Sequence, residues 1–174
     1  MAENSVESHA NWQLDLLNQD HDASGFESDS DPLNRFVKED ALQFHEKGIC
    51  RVYIANEPGS RRVVGYYTLS CGSVNKEFFS TTQSKSLRGY HAPVVLLGKL
   101  AVCNSSKGKG LGTDLLVHAL KNVIGISKSI GVYAVEVTAK DGKKGFYERY
   151  QCSPLTDDPN HLFLSAKKLA LIAL

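Results

Sequence analysis

Between Ser105 and Asp114 the chain reads SSKGKGLGTD, with glycines at 108, 110 and 112. Alternating glycines that open a helix leave backbone amides bare. Those amides and the positive end of the helix dipole together make a seat for a phosphate. The sequence therefore predicts a phosphorylated ligand held between Val102 and Thr113, with Lys107, Gly108, Lys109, Gly110, Leu111, Gly112 and Thr113 around it.

Two common phosphate motifs fail here. A P-loop requires a Lys-Ser or Lys-Thr pair after its glycines, and none follows Gly112. A dinucleotide fingerprint requires G-x-G-x-x-G, but the third glycine comes one residue early, and Glu136 stands too far on to serve as the ribose acid.

The elements around the loop read as mixed α/β. PVVLLGKLAV, residues 93–102, is almost continuously apolar, as a strand covered on both faces should be. Leu111, Leu115, Leu116, Ala119, Leu120 and Ile124 then recur on one side of a helix from Gly110 to about Ser127. Upstream, Asp31-Pro32 predicts a helix start and Gly48 its stop, and RVYIA and VVGYYTLS form a hairpin of strands. Residues 71–92 are polar and mixed, with a helical or irregular segment around Phe78-Phe79 and a basic loop at Lys85 and Arg88. Downstream come a strand over Val132–Thr138, a short helix over Lys143–Tyr150, a strand over Leu162–Ser165 and an apolar terminal helix. The order argues for an α+β fold, a mixed and mostly antiparallel central sheet flanked by helices.

Composition is that of a globular chain, 42% hydrophobic and 22% charged over 174 residues. No apolar run approaches the roughly 20 residues that cross a bilayer, and the acidic N-terminus is no signal peptide. Cys50, Cys71, Cys103 and Cys152 are scattered, which predicts reduced thiols in a cytoplasmic protein and no metal site. Charge is uneven. Residues 1–34 hold eight acids and no Lys or Arg, so the rest carries all 20 bases against 11 acids, a net of +9. A basic body of this kind attracts a polyanion, and an acidic arm tempers it. The expected division is a loose acidic arm over 1–25, with a short amphipathic turn at Trp12–Leu17, and a folded domain over 26–174 that Phe26 anchors.

Lys107-Gly108-Lys109-Gly110-Leu111-Gly112 fits the pattern R/Q-x-x-G-x-G/A. With LGKLAV before it and a helix after it, the segment resembles motif A of the GNAT superfamily of N-acetyltransferases. Lys107 replaces the usual Arg or Gln. The resemblance implies acetyl-CoA as co-substrate, its pyrophosphate on the loop amides. It also implies a strand, VYAVEVT, splayed from the central strand to admit the pantetheine arm. Backbone amides near Leu100, Ala101 and Val102 would receive the acetyl oxygen.

In the same superfamily a tyrosine on the next short helix stands beside the thiolate, and Phe146-Tyr147 matches it. A phenol, with pKa near 10, can give a leaving thiolate its proton. Tyr150 is an alternative donor, and Tyr147 as a plain core aromatic is the rival reading. No general base stands out. Glu136 alternates onto one face of its strand with Ala134 and Thr138, as a cleft-facing base or as an edge ion pair. His91 and His118 read as surface or helix-face residues.

A narrower resemblance covers residues 26 to about 170. Phe26, Ser28, Leu33, Asn34, Phe36 and Val37, with VYIA, VGYYTLS and PLTDDPNHLFL, are similar to the GNAT toxins of bacterial toxin–antitoxin pairs. That likeness implies acetylation of the α-amine of aminoacyl-tRNA and a ribbon-helix-helix antitoxin as partner. An α-amine with pKa near 7.7–8.0 is partly neutral at physiological pH, which suits a site without a strong base. Arg51, Arg61, Arg62, Lys85, Arg88, Lys143 and Lys144 are candidate phosphate contacts. The apolar C-terminal end suits a homodimer. The alternatives are an enzyme for a small amine or protein N-terminus, and a non-catalytic acetyl-CoA-binding module.

Overall fold

The structure is a computed structural model that describes residues 7–9, 12–140 and 142–172. In chain order its elements are β1 (Glu7–His9), β2 (Trp12–Leu16), α1 (Asp31–Arg35), α2 (Ala41–Glu46), β3 (Arg51–Asn56), β4 (Val63–Val74), α3 (Thr81–Ser86) and β5 (Ala92–Val102). Then follow α4 (Leu111–Ser127), β6 (Ala134–Thr138), α5 (Lys144–Glu148), β7 (Ser153–Pro154), β8 (His161–Ser165) and α6 (Ala166–Leu169). They gather into two compact units, Met1–Leu69 with Lys99–Ala119, and Ser70–Gly98 with Leu120–Leu174.

In the first unit β1, β2, β3 and β4 form an antiparallel meander with Leu14 opposite Ala55 and Tyr53 opposite Tyr67. Strand alternation turns Val52 and Ile54 inward, and both are fully buried. The expected amphipathic turn at Trp12–Leu17 is instead strand β2. Its alternating Trp12 and Leu14 are buried, and pairing with β3 satisfies its backbone. Part of the expected loose arm, from Trp12 on, therefore belongs to the sheet of this unit, while residues 1–6, 10 and 11 lie outside the described residues.

Phe26 anchors the next stretch as expected. It is fully buried, with its ring edge-on to Tyr66 at 5.5 Å. Ser30, not Asp31, is the N-cap of α1, and Pro32 falls in the first turn. The buried Asn34 side chain reaches back and accepts from the Ser28 amide at 2.7 Å and the Ser28 hydroxyl at 2.6 Å. Tyr66 donates its hydroxyl to the Leu33 carbonyl at 2.8 Å. The residues that carried the narrower resemblance thus bind the start of the first helix to the sheet. A π-turn at Phe36–Asp40 joins α1 to α2, which ends at Glu46 with Lys47 as its C-cap, just ahead of Gly48.

In the second unit β5 and β6 run parallel, β6 and β8 antiparallel, and β7 and β8 antiparallel. Among the described residues β5–β6 is the parallel pair and the other strand pairs within the two units are antiparallel, so the α+β, mostly antiparallel reading stands. One face of these strands is a core of Val74, Phe79, Ala92, Val94, Ala134, Leu155 and Phe163. The segment read as polar and mixed covers that core: Asn75 caps a 3-10 turn, and Ser80 with Gln83 makes a capping box for α3. The apolar terminal helix shortens to α6, where Leu169 is buried and Leu171 is 81% exposed.

Candidate active site

The glycine loop lies in the first unit. The Cys103 amide donates to Val64 at 2.8 Å and the Asn104 amide to Glu27 at 2.7 Å, which fixes where the chain leaves β5. Strand alternation sends the amides of Val102 and Leu100 to the other edge of β5, while the Ala101 side chain is buried. After a 3-10 turn over Asn104–Ser106 the loop passes through Gly108 at φ +73° and Gly110 at φ +88°. Both angles are left-handed, a region a residue with a Cβ enters only at a cost. The Gly110 carbonyl accepts from Thr113 at 2.9 Å and Asp114 at 3.1 Å, so Gly110 is the N-cap of α4.

Among the described residues the amides of Gly108, Lys109, Gly110, Leu111 and Gly112 donate to no backbone carbonyl. They open the 17-residue α4, whose positive pole they share. The Leu111 side chain is buried, so only its amide is available, while Gly108, Lys109, Gly110 and Thr113 are exposed. Lys107 is bound by Asp29 through an ion pair. That contact was not legible in the sequence, because Asp29 is one of many acids in the N-terminal region.

The second unit carries the other candidates. Tyr147 on α5 is buried, its ring 5.1 Å from Phe146 in an edge contact. Burial, with the neighbouring Cys152, pushes its phenol up to about 12. Among the described residues no hydrogen-bond partner stands against its hydroxyl. Tyr150 is half-buried on the turn that follows.

In this unit the β5–β6 ladder runs from Val94–Ala134 to Leu96–Glu136 and stops there, though β6 continues to Thr138. This is the expected splay. At its last rung Glu136 forms an ion pair, one of the two readings left open for it. Its Oε1 lies 2.6 Å from His161 Nε2, and His161 Nδ1 lies 2.7 Å from Asp157 Oδ2. Burial alone would lower the imidazole; the hydrogen bonds to Asp157 and Glu136 outweigh it and raise it above 6.5. His161 and Asp157 lie in the PLTDDPNHLFL stretch of the narrower resemblance, but nothing local in the sequence marks them as partners of Glu136. His118, read as a helix-face residue, is buried and bonds the Tyr67 hydroxyl at 2.7 Å; His91 is exposed.

A strand that feeds a bare-amide glycine loop into a long helix, together with a parallel ladder that stops midway, defines the GNAT fold. No family model matches the chain. A tRNA-acetylating toxin of Mycobacterium tuberculosis is 33% identical over 147 residues, 84% of this chain and 87% of its own length. Among solved structures, a tyrosine-to-phenylalanine mutant of KacT superposes with a TM-score of 0.88 at 32% identity, covering 92% of this chain and 98% of that one. AtaT complexed with acetyl-methionyl-tRNAfMet gives 0.86 at 28%, again covering 92% and 98%. A tyrosine-to-phenylalanine mutant of AtaT, bound to the C-terminus of the antitoxin AtaR and acetyl-CoA, gives 0.77 at 28%, covering 92% and 96%. The chain belongs to the family of the tRNA-acetylating toxins.

Proposed function

We propose that this chain is an acetyl-CoA-dependent N-acetyltransferase that moves the acetyl group onto the α-amine of aminoacyl-tRNA and so blocks translation. The observation that carries the donor side is the run of five undonated amides from Gly108 to Gly112 at the head of α4. These supply N–H donors and dipole to a pyrophosphate without needing a charged side chain, which accords with Lys107 being engaged by Asp29. The acceptor follows from the family, whose named member acetylates tRNA, and from AtaT bound to an acetylated aminoacyl-tRNA.

The chain's own groups divide the work in this reading. Lys107, Gly108, Lys109, Gly110, Leu111, Gly112 and Thr113 hold the pyrophosphate. Leu100, Ala101 and Val102 line the acetyl end, where the amides of Leu100 and Val102 offer hydrogen bonds to the carbonyl oxygen as it gains charge. Tyr147, shifted upward by burial, keeps its proton throughout the physiological range and so remains a donor for the departing thiolate. Tyr150 is less suited, being a turn further on and more exposed.

The basic body supplies counter-charge to the tRNA backbone. Aminoacyl-tRNA is used at the ribosome, so the reaction belongs in the cytoplasm, and among the described residues no helix is long and apolar enough to cross a membrane. The partner is an antitoxin, as AtaT has in AtaR, of the ribbon-helix-helix class that the sequence resemblance implies. The exposed Leu171 near the C-terminus suits a homodimer contact. Incubation with labelled acetyl-CoA and a total charged-tRNA pool tests the reading. Label should enter the charged pool and be absent from deacylated tRNA; no transfer to any charged tRNA would overturn it.

A further inference from the structure

The reading above names a donor for the thiolate but no group for the acceptor's nitrogen. The Glu136–His161–Asp157 cluster in the second unit is built for one. Its two contacts, 2.6 Å and 2.7 Å, are each too short to exist without a proton between nitrogen and oxygen. One imidazole, with at most one positive charge, thus serves two carboxylates. Its side chains are only 14–25% exposed. Among the described residues neither carboxylate pairs with a lysine or arginine. The excess negative charge is thus left for a cation that comes from outside.

The geometry says where that cation docks. Glu136 Oε1 is taken by His161, which leaves Oε2. From β4, Gly72 faces Oε2 with bare backbone: a Cβ there would stand 3.4 Å from Oε2 and 3.1 Å from Val94 Cγ2. Glu136 is also the last rung of the β5–β6 ladder. Behind it, the tight β7–β8 turn is pinned by the Thr156 amide on Phe78 at 2.7 Å and the Leu155 amide on His161 at 2.7 Å. His161 and Asp157 therefore have little freedom to swing away.

We propose that Glu136 receives the acceptor's α-nitrogen, Oε2 accepting from its N–H and taking the proton it sheds as the C–N bond forms. His161 and Asp157 are positioning residues for that carboxylate. The proposal rests on the aminoacyl-tRNA reading. The ammonium first loses one proton to solvent, and the nitrogen lone pair then forms the C–N bond. Glu136 takes the proton that nitrogen now carries in excess. The C–S bond breaks with its electron pair on sulfur, and Tyr147 supplies that sulfur with a proton. The proton on Glu136 and the deficit on Tyr147 cancel through solvent, so one proton is released per turnover.

The test measures kcat and KM for the charged-tRNA pool, and acetyl-CoA affinity, on the full chain. Glu136→Gln should lower kcat/KM for charged tRNA by about 10²-fold with acetyl-CoA affinity unchanged. Gly72→Ala, which leaves the cluster intact but places a methyl over Oε2, should raise KM for tRNA several-fold. Among the described residues the ionisable groups facing His161 are Glu136 from β6 and Asp157 from its own turn, and the 3-10 turn presents Phe78; beside Glu136, β4 presents Gly72 and β5 Leu96. The wild-type pH profile should therefore lose kcat/KM on the alkaline side as the imidazole deprotonates. His161→Gln, which keeps a donor that does not titrate, should lack that limb. If Glu136→Gln and Gly72→Ala both match an active wild type, or His161→Gln keeps the alkaline limb, the assignment of Glu136 falls alone. If the wild type acetylates no charged tRNA, the aminoacyl-tRNA reading falls and takes this one with it.

Discussion

Asp29 binds the ammonium group of Lys107, the first residue of the glycine loop. The contact joins the acidic stretch before α1 to the phosphate seat, and the Asn104 amide on Glu27 reinforces it. Other acids of the same stretch are similarly engaged, Asp20 near Arg61 at 3.9 Å and Glu27 with Lys38 at 2.5 Å. Asp20, Glu27 and Asp29 are therefore already engaged by basic groups of their own unit. A diphosphate arriving at the loop meets Lys107 with a competitor in place.

Asp29→Asn should accordingly tighten acetyl-CoA binding. Both partners are well exposed, at 41% and 72%, so the effect belongs to the range of surface pairs, about 0–1 kcal/mol, or at most roughly fivefold in affinity. Calorimetric titration at low and high salt is the measurement. The gain should shrink as salt rises; unchanged affinity at low salt would show that Asp29 and the ligand do not compete.

Gly110→Ala should damage the seat without crowding it. A Cβ at Gly110 meets nothing within 4 Å, but its φ of +88° costs an L-residue about 1–2 kcal/mol. Relieving that strain turns the loop amides, so acetyl-CoA affinity should fall about tenfold while the thermal midpoint drops only slightly. Gly112→Ala is the control, since its Cβ would make an ordinary 3.7 Å contact with Val102.

Tyr147→Phe should separate binding from turnover. The hydroxyl has no partner among the described residues, so its removal strands no buried group, and stability should hold. Acetyl-CoA affinity should persist while acetyl transfer falls by about 10²-fold, the scale of a lost proton donor. Equal activity in the two proteins would return Tyr147 to the role of core aromatic.

The His161 clamp should give stability a pH dependence of known sign. The folded-state imidazole is raised above its unfolded value of 6.5. Its contribution is fully present below pH 6.5, where both states are protonated, and is lost as pH rises through the folded value, because unfolding then releases a proton. Urea midpoints of wild type and His161→Gln, compared between pH 5.5 and 9, should differ most at the acid end. A gap that widens with pH would contradict the clamp.

What was legible in advance follows local rules. The glycine loop and α4 declared themselves because φ-permissive glycines and a 3.6-residue apolar period need no knowledge of distant chain. Phe26 stood out as an isolated apolar residue in acidic sequence. Strand β2 did not: WQLDL is five residues long, and only pairing with β3 makes its alternation a strand rather than a turn. The capping box of Ser80 and Gln83 was a local signal for α3 that went unused. The Glu136–His161 pair joins residues 25 apart through antiparallel register, with Thr138 opposite His161, and register is a property of the folded sheet. The same is true of the rung at which β5 and β6 part.

On the proposed function, this chain places an acetyl group on the α-nitrogen of an aminoacyl ester. The direct measurement is mass spectrometry of the aminoacyl-adenosine released by ribonuclease from charged tRNA after reaction with acetyl-CoA. The expected result is acetyl on the α-nitrogen of the amino acid with wild type and strongly reduced product with Tyr147→Phe. Unmodified aminoacyl-adenosine under conditions where acetyl-CoA binds, or acetylation of deacylated tRNA to the same extent, would contradict it.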